Sequence, residues 1–456
     1  MKRSWKNWLG NQTARAYYHA PKSVAELCEV VRKGAKRGKV RPVGNGFAWA
    51  RLVPTSDTLV SLKHLNRLLE VDHHRGTITL ESGMSMQQLT RATQAYGLEL
   101  ESPTVFPRVS IGGALATGSH GTGRDFGTLS DSVVALTVVD PNGNLLEIDA
   151  SKPDLLDAAR VALGAFGVLY SVTLKVSRAF NIRVEVKTFP RKCVLEHIPD
   201  ILRTYEFVEM YWFPYTDTMW LRVANRTREE LDSFSFRSTV KKKVHNGLIL
   251  AGGSIMMPLI SNFLPKLTPA IVRNSQGIAF QEKEVVAEAS VEFHYQTAYP
   301  KIWDMSIAVP TAHTKQSWEL IMDLVDEYHA RGKFPVNFVA HARYINASTG
   351  LICPAVGRRT TPIEVVTGWR TPGVDQFYGD LETQFYDRIP ESRPHWGKFI
   401  TRPERIKDQY PAANWQKFLD LRKSFDPQRV FLNRFLEHQV FQLDPLAGSP
   451  TSPAAR

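Results

Sequence analysis

The chain has 456 residues, about three times a typical domain of roughly 150 residues, with 43% hydrophobic and 22% charged side chains. That balance, with 29 glycines and 27 prolines, excludes disorder over most of the length and excludes collagen-like or linker-dominated architectures. The formal net charge of +12 points to an anionic partner, but the basic residues are scattered, Lys241-Lys242-Lys243 being the densest run, and no reader motif accompanies them, so nucleic-acid binding is not expected.

The start, Met1 to Tyr18, has no apolar run of seven residues and does not read as a secretory signal. Ser23 to Ala35 has apolar residues at helical spacing behind a capping serine. Val40 to Val43 predicts a strand running into Gly44-Asn45-Gly46. Leu59 to Leu62, Leu68 to Asp72 and Thr77 to Glu81 predict further strands, and Met86 to Gly97 a helix. Val133 to Val139 and Leu145 to Ile148 flank Asp140-Pro141-Asn142-Gly143, a strong hairpin turn. Asp154 to Leu163 is helical, and Val168 to Val176 alternates like a strand.

After Ser177 the character changes. Aromatic-rich strands fill Glu206 to Val223, a strand is predicted over Glu288 to Gln296, and an amphipathic helix over Gln316 to Ala330. Strands follow near Asn337 to Ile345 and Pro362 to Thr367. The fold class is therefore α+β: small α/β units with mixed sheets, then a large antiparallel sheet covered by helices. The apolar stretch Gly247 to Leu264 approaches membrane-span length, but Gly252, Gly253, Ser254, Pro258, Ser261 and Asn262 dilute it. A buried or interfacial helix pair is predicted there, so membrane contact is not expected and the location is read as cytoplasmic. Leu446 to Arg456 reads as a disordered tail. Cys28, Cys193 and Cys353 lie far apart without a CxxC spacing, so neither a disulfide framework nor a metal site is expected.

Two glycine-rich loops carry the chemistry. Val43-Gly44-Asn45-Gly46-Phe47 follows a strand but lacks the third glycine of a dinucleotide fingerprint. Ser110 to Gly123 is dense in small residues, including Gly113, Ala114, Thr117, Gly118, His120 and Gly121. Such side chains let the backbone approach a flat or phosphorylated ligand, and its N–H groups can form an anion nest.

These loops, with Leu163-Gly164-Ala165-Phe166-Gly167-Val168 and His395-Trp396-Gly397-Lys398, resemble the vanillyl-alcohol-oxidase-type FAD-linked flavoproteins. The closest likeness is to the sugar-alcohol and aldonolactone oxidase branch, and it runs from Trp5-Lys6-Asn7-Trp8 through Trp212-Phe213-Pro214 to Phe431-Leu432-Asn433. The resemblance implies an FAD-binding domain of two α/β subdomains over residues 1–178, a substrate (cap) domain over 179–395, and a C-terminal return over 396–445. It implies that Val43 to Phe47 and Ser110 to Gly123 hold the FAD, with Ile148 near the adenine and His395 and Lys398 beside the flavin. Many relatives carry a flavin-tethering histidine where this chain has Phe47, so noncovalent FAD is expected.

Alditol oxidases have a Glu-Ile-Arg run and, 21 residues after its arginine, a histidine. This chain has His341-Ala342-Arg343, with Glu364 in the later place, as if carboxylate and imidazole had been exchanged. The resemblance keeps Arg343 and Lys398 in family positions. Ala114 replaces a serine that touches substrate in alditol oxidases. Oxidising CH–OH needs a hydride acceptor, a base and cations for the charge that collects on the flavin. Lys398 is assigned the charge-stabilising role, Arg343 assists, and His341 is the leading base, oriented by Glu364. Tyr211, Trp212, Phe213, Tyr215, Glu292, His294 and Tyr295 are weighed as pocket residues. The expected reaction is oxidation of a CH–OH group of a polyol, sugar or lactone-like small molecule by hydride transfer to flavin N5, reoxidised by O2 or another acceptor. The alternatives are an aldonolactone dehydrogenase using a cytochrome or quinone, and a non-catalytic basic binding protein on a flavoprotein fold.

Overall fold

The computed structural model describes residues 1–232, 256–294 and 300–445. Strands β1 (Arg3–Lys6) and β2 (Thr13–His19) pair antiparallel. Helix α1 (Val24–Ala35) starts where Ser23 accepts the Glu26 N–H at 3.2 Å, and it buries Leu27 and Val31. Strand β3 (Val40–Val43) and β4 (Thr58–Ser61) add in parallel, giving the order β1-β2-β4-β3.

A second, antiparallel sheet begins with β5 (Leu68–Asp72) and β6 (Thr77–Glu81). After the two-residue β7 (Leu98–Glu99) it gains β8 (Val133–Val139), β9 (Leu145–Asp149) and β10 (Val168–Lys175), in the order β5-β6-β10-β8-β9. The β8–β9 turn forms as its sequence demands: the Asp140 carboxylate accepts the N–H groups of Asn142 and Asn144, both at 2.8 Å, and Gly143 takes φ 83°. Helices α2 (Met86–Ala95), α3 (Ile111–Ala116) and α4 (Pro153–Arg160) cover this sheet through Leu89, Ile111, Leu115 and Leu156.

After β11 (Ser177–Arg178), which pairs with β7, the chain builds an eight-stranded sheet, antiparallel in every pairing. Its strands are β12 (Asn181–Pro190), β13 (Phe207–Trp212), β14 (Thr218–Thr227), β15 (Lys283–Glu288), β16 (Ile302–Pro310), β17 (Val339–Arg343), β18 (Thr360–Gly368) and β19 (Arg393–Pro394). The order is β15-β12-β14-β13-β17-β18-β16-β19. The two-residue period of a strand sorts its faces. Val208, Met210, Met305, Ile307, Ala340, Ala342, Ile363 and Val365 pack against the helices Thr314–Ala330 and Val374–Arg388. The alternate positions, Glu209, Tyr211, Asp304, His341, Arg343 and Glu364, therefore share the opposite face.

The C-terminal return is firmly seated. The helix Ala412–Phe425 packs Trp415 and Phe418 beside Phe166 and Trp396, while Val430 and Phe431 join Leu27, Val31 and Val40. The predicted strand over Glu288 to Gln296 is a correction: the strand is Lys283–Glu288, paired residue for residue with Asn181–Val186, and Ala289–Glu292 forms one helical turn. That turn places Ala289 and Phe293, four residues apart, on one buried side. Lys241–Lys243, the apolar residues 247–255, Tyr295, Gln296 and the tail 446–456 lie outside the described residues. Beyond them come the helices Met257–Phe263 and Thr268–Ala279, and among the described residues no helix is long and apolar enough to cross a membrane.

Candidate active site

The polar face of the large sheet, the two glycine loops and the His395–Lys398 turn enclose one cavity of about 470 Å³. Backbone hydrogen bonds hold these parts in register. Trp49 N–H donates to the Gly397 carbonyl at 2.8 Å, joining the first loop to the turn, and Gly123 N–H donates to the Tyr344 carbonyl at 2.8 Å, joining the second loop to the residue that follows β17. Asn45 Nδ2 donates to the Arg108 carbonyl at 2.8 Å and links the loops to each other.

Most of the residues singled out in the sequence line this cavity: Val43, Gly44, Asn45, Gly46, Phe47, Ser110, Gly113, Ala114, Thr117, His120, His341, Arg343, Glu364, His395 and Lys398. Gly118, Gly121 and Ile148 do not. Gly118 and Gly121 are buried, and a Cβ there would lie 3.1 Å from Pro354 and 2.4 Å from the Pro103 carbonyl, while Ile148 sits inside the core of the second sheet. Of the described aromatics weighed as pocket residues, Tyr211 lines the cavity, while Trp212 belongs to the helix-side core. Glu292 pairs with Arg222 at 3.2 Å and Lys283 at 3.1 Å, and His294 bonds to Thr104 and Thr90.

The charged groups form one buried network. His341 and Glu364 are direct cross-strand partners on β17 and β18, with Nε2 and Oε2 3.3 Å apart. The imidazole lies off the line of a well-formed hydrogen bond. Lys398 Nζ donates to Glu364 Oε2 at 3.0 Å and to Asp304. Arg343 bridges Glu364 Oε1 (3.4 Å) and Glu209 Oε1 (3.0 Å), and Arg222 reaches Glu209 Oε2 at 3.0 Å.

Burial works against each of these charges, and the partners reverse or fail to reverse it. Lys398, His341 and Arg343 hold the Glu364 carboxyl well below the usual range against burial, and Asp304 and Glu364 raise the Lys398 ammonium. For Asp304 burial wins over Lys398, and its carboxyl is pushed up to about 6. Burial, then the Arg343 charge, lowers His120 to about 4; burial, then His120, drives His395 well below its ordinary value, so both imidazoles are neutral at pH 7. His395 Nδ1 accepts the Gly397 N–H at 3.0 Å, which shapes the turn that carries Lys398.

Asp304, Ile302 and Arg41 are among the wall residues that sequence reasoning missed. Asp304 and Ile302 stand on β16, which was not predicted. Arg41 is wholly buried in β3 and gives its guanidinium to the carbonyls of Leu52, Leu163, Gly164 and Phe431. Burial pushes its pKa down to about 9, and among the described residues no carboxylate faces it. Its position inside a strand three residues before Gly44 was the available signal.

The lining fits a flavin dinucleotide. A Cβ on Gly44 would meet Ser110 Oγ at 1.9 Å, so the two loops touch only because that position is bare. In α3, Ile111 and Gly112 give their N–H groups to Met84 and Ser82, while the exposed Gly113 lines the cavity. Near Phe47 the wall is aromatic, with Phe106 at 4.8 Å and Trp8 at 5.6 Å between ring centroids. Bare glycines, the uncompensated Arg41, aromatic rings and paired ions on the lining of one cavity are the chemistry that a diphosphate, a flat ring and a reacting centre require. A more open cleft of about 650 Å³ beyond Trp49, lined by Arg51, Trp303, Phe399 and His438 among others, contains none of the predicted site residues.

The fold and this cavity define a flavoenzyme of the vanillyl-alcohol-oxidase architecture. A solvent-stable cholesterol oxidase superimposes with a TM-score of 0.80 at 19% identity over 95% of this chain and 97% of that chain. A chitooligosaccharide oxidase superimposes with 0.69 at 13% identity over 95% and 93%. An FAD binding domain matches residues 16–149, and the D-arabinono-1,4-lactone oxidase family matches residues 172–439. The chain belongs to the D-arabinono-1,4-lactone oxidase family, FAD-linked oxidases and dehydrogenases acting on CH–OH donors. Its relatives include the L-gulono-1,4-lactone dehydrogenase of Mycobacterium tuberculosis, 29% identical over 94% of this chain and 97% of the relative. The L-gulonolactone oxidase of Scyliorhinus torazame is 28% identical over 96% and 98%.

Proposed function

We propose that this chain oxidises a ring or side-chain CH–OH of a polyhydroxylated aldonolactone, using noncovalently held FAD and passing the electrons to O2 or another acceptor. The observation that carries the reading is the meeting of Lys398, Arg343, His341 and Glu364 on one wall of the glycine-lined cavity. In this reading residues 1–178 and 396–445 form the FAD-binding part, and 179–395 the cap that covers the substrate.

FAD, when bound, supplies the two-electron acceptor for the hydride. His341 stands across from Glu364, its Nε2 3.3 Å from the carboxylate, and its Nδ1 takes the hydroxyl proton as the C–H hydrogen departs with its electron pair. Lys398 and Arg343 supply positive charge where negative charge collects in the transition state. The neutral His120 and His395 keep that wall from gathering more charge, and His395 fixes the Lys398 turn. Phe47 has no atom able to bond covalently to a flavin, and its aromatic neighbours offer the ring a packing surface instead.

Turnover assays test the reading. The FAD-loaded protein is expected to oxidise aldono-1,4-lactones faster than open-chain alditols, with O2 or an artificial acceptor. Equal inertness toward every lactone with full FAD occupancy would refute it.

A further inference from the structure

We propose that Asp304 is a specificity-determining residue of the cavity, its Oδ1 accepting a hydrogen bond from a hydroxyl of the bound substrate. The proposal rests on the aldonolactone reading above and adds to it a residue that the sequence did not single out.

Asp304 is held more firmly than a surface acid would be. It is the third residue of β16, on the sheet face that also carries Glu364 and His341. The turn bearing Lys398 is pinned to its strand at two points: Phe399 N–H donates to the Asp304 carbonyl at 2.9 Å, and His395 N–H to the Ser306 carbonyl at 2.9 Å. Lys398 Nζ takes Oδ2 of the carboxylate. The side chain therefore has little freedom to turn.

Its other oxygen is the exception among the carboxylate oxygens of Glu209, Glu364 and Asp304. Glu364 receives Arg343 on Oε1 and Lys398 on Oε2, and Glu209 receives Arg343 on Oε1 and both Arg222 and Tyr211 on Oε2. Asp304 Oδ1 is buried and has no hydrogen-bond partner among the described residues, although the residue is only 3% exposed and lines the cavity. Buried acceptors are rarely left so, because the lost hydration is not recovered. Burial, helped by the Glu364 charge, pushes its carboxyl up to about 6 in spite of Lys398. An ionised carboxylate oxygen can only accept, and a lactone with several hydroxyls offers donors of the right kind and size. Lys398 would then be aligned by the same carboxylate that reads the substrate, which couples recognition to the catalytic cation.

The test uses FAD-loaded Asp304→Asn. Lys398 keeps the amide oxygen on its side, so the cavity meets an NH2 donor in place of an acceptor. Lactone Kd is read from the concentration dependence of anaerobic flavin bleaching, and FAD Kd by fluorescence. We expect lactone Kd to rise about ten-fold or more with FAD Kd unchanged. In the wild type one monodeoxy lactone should lose about as much, and that analogue should bind the variant no worse than the parent lactone does. The wild-type deoxy series stands without the variant: if no single hydroxyl matters ten-fold, the proposal is overturned. A weakened FAD Kd with unchanged lactone Kd would place Oδ1 against the cofactor and overturn it equally. If no aldonolactone bleaches the wild-type flavin, the proposed function falls, and the Asp304 assignment with it. Bleaching of the wild type with identical lactone affinities in both proteins would overturn the Asp304 assignment alone.

Discussion

His341 and Glu364 stand opposite each other on adjacent strands, 3.3 Å apart, and the same Glu364 oxygen receives Lys398 at 3.0 Å. One carboxylate thus holds both the base and the cation of the proposed reaction. Glu364→Ala should cut the flavin reduction rate by about 10²–10⁴-fold, as should His341→Ala. The double variant should be no slower than the slower single one, because the two act as a unit. Multiplying effects in stopped-flow reduction would show that they act separately.

Lys398→Met removes a cation enclosed by Asp304, Glu364 and the face of Trp49, whose ring centroid lies 4.9 Å from Nζ. Loss of one preorganised charge of this kind costs about 10²–10³-fold in rate. We expect that loss in flavin reduction, with FAD retention after gel filtration changed little. Equal reduction rates in the two proteins would remove Lys398 from the chemistry.

Phe47 packs edge-to-face on Phe106 at 4.8 Å and carries no nucleophile. Acid precipitation should therefore release the flavin into the supernatant. A yellow pellet would show a covalent link and a tether elsewhere in the chain.

Glu209 anchors Arg343 and Arg222 from a fully buried position, and against burial these two arginines hold its carboxyl at about 2. A depressed folded value means that the stabilisation is present above the unfolded value near 4.5 and is lost as pH falls toward 2. Its contribution at pH 7 is about 3 kcal/mol. Glu209→Gln should lower the thermal midpoint clearly at pH 7, and the gap to wild type should narrow steadily below pH 4.5. A gap independent of pH would mean that packing, not charge, is responsible.

The readable parts of the chain were those where local chemistry decides. The strands Val40–Val43, Leu68–Asp72, Thr77–Glu81 and Val133–Val139 fall where alternation and turn residues place them. Cross-strand facing of His341 and Glu364 was suggested by an exchange of residue types, and their register supplies it. What stayed hidden depends on distant partners. β16 reads as Ile-Trp-Asp-Met-Ser-Ile-Ala-Val-Pro, and Asp304 interrupts its apolar run where that face meets the cavity. Arg41 looks like a surface basic residue until the carbonyls of Leu163, Gly164 and Phe431, more than a hundred residues away, close around it. β12 alternates plainly from Ile182 to Val186 but follows a change of domain character that gave no turn signal.

In the proposed reaction the cavity wall bearing Lys398, His341 and Glu364 promotes electron transfer from a lactone CH–OH into bound FAD. Anaerobic mixing of the FAD-loaded protein with an aldono-1,4-lactone tests it most directly. The account predicts rapid loss of the oxidised-flavin absorbance, slowed at least about 10²-fold in Lys398→Met. An unchanged spectrum across the lactone series, with FAD fully bound, would contradict it.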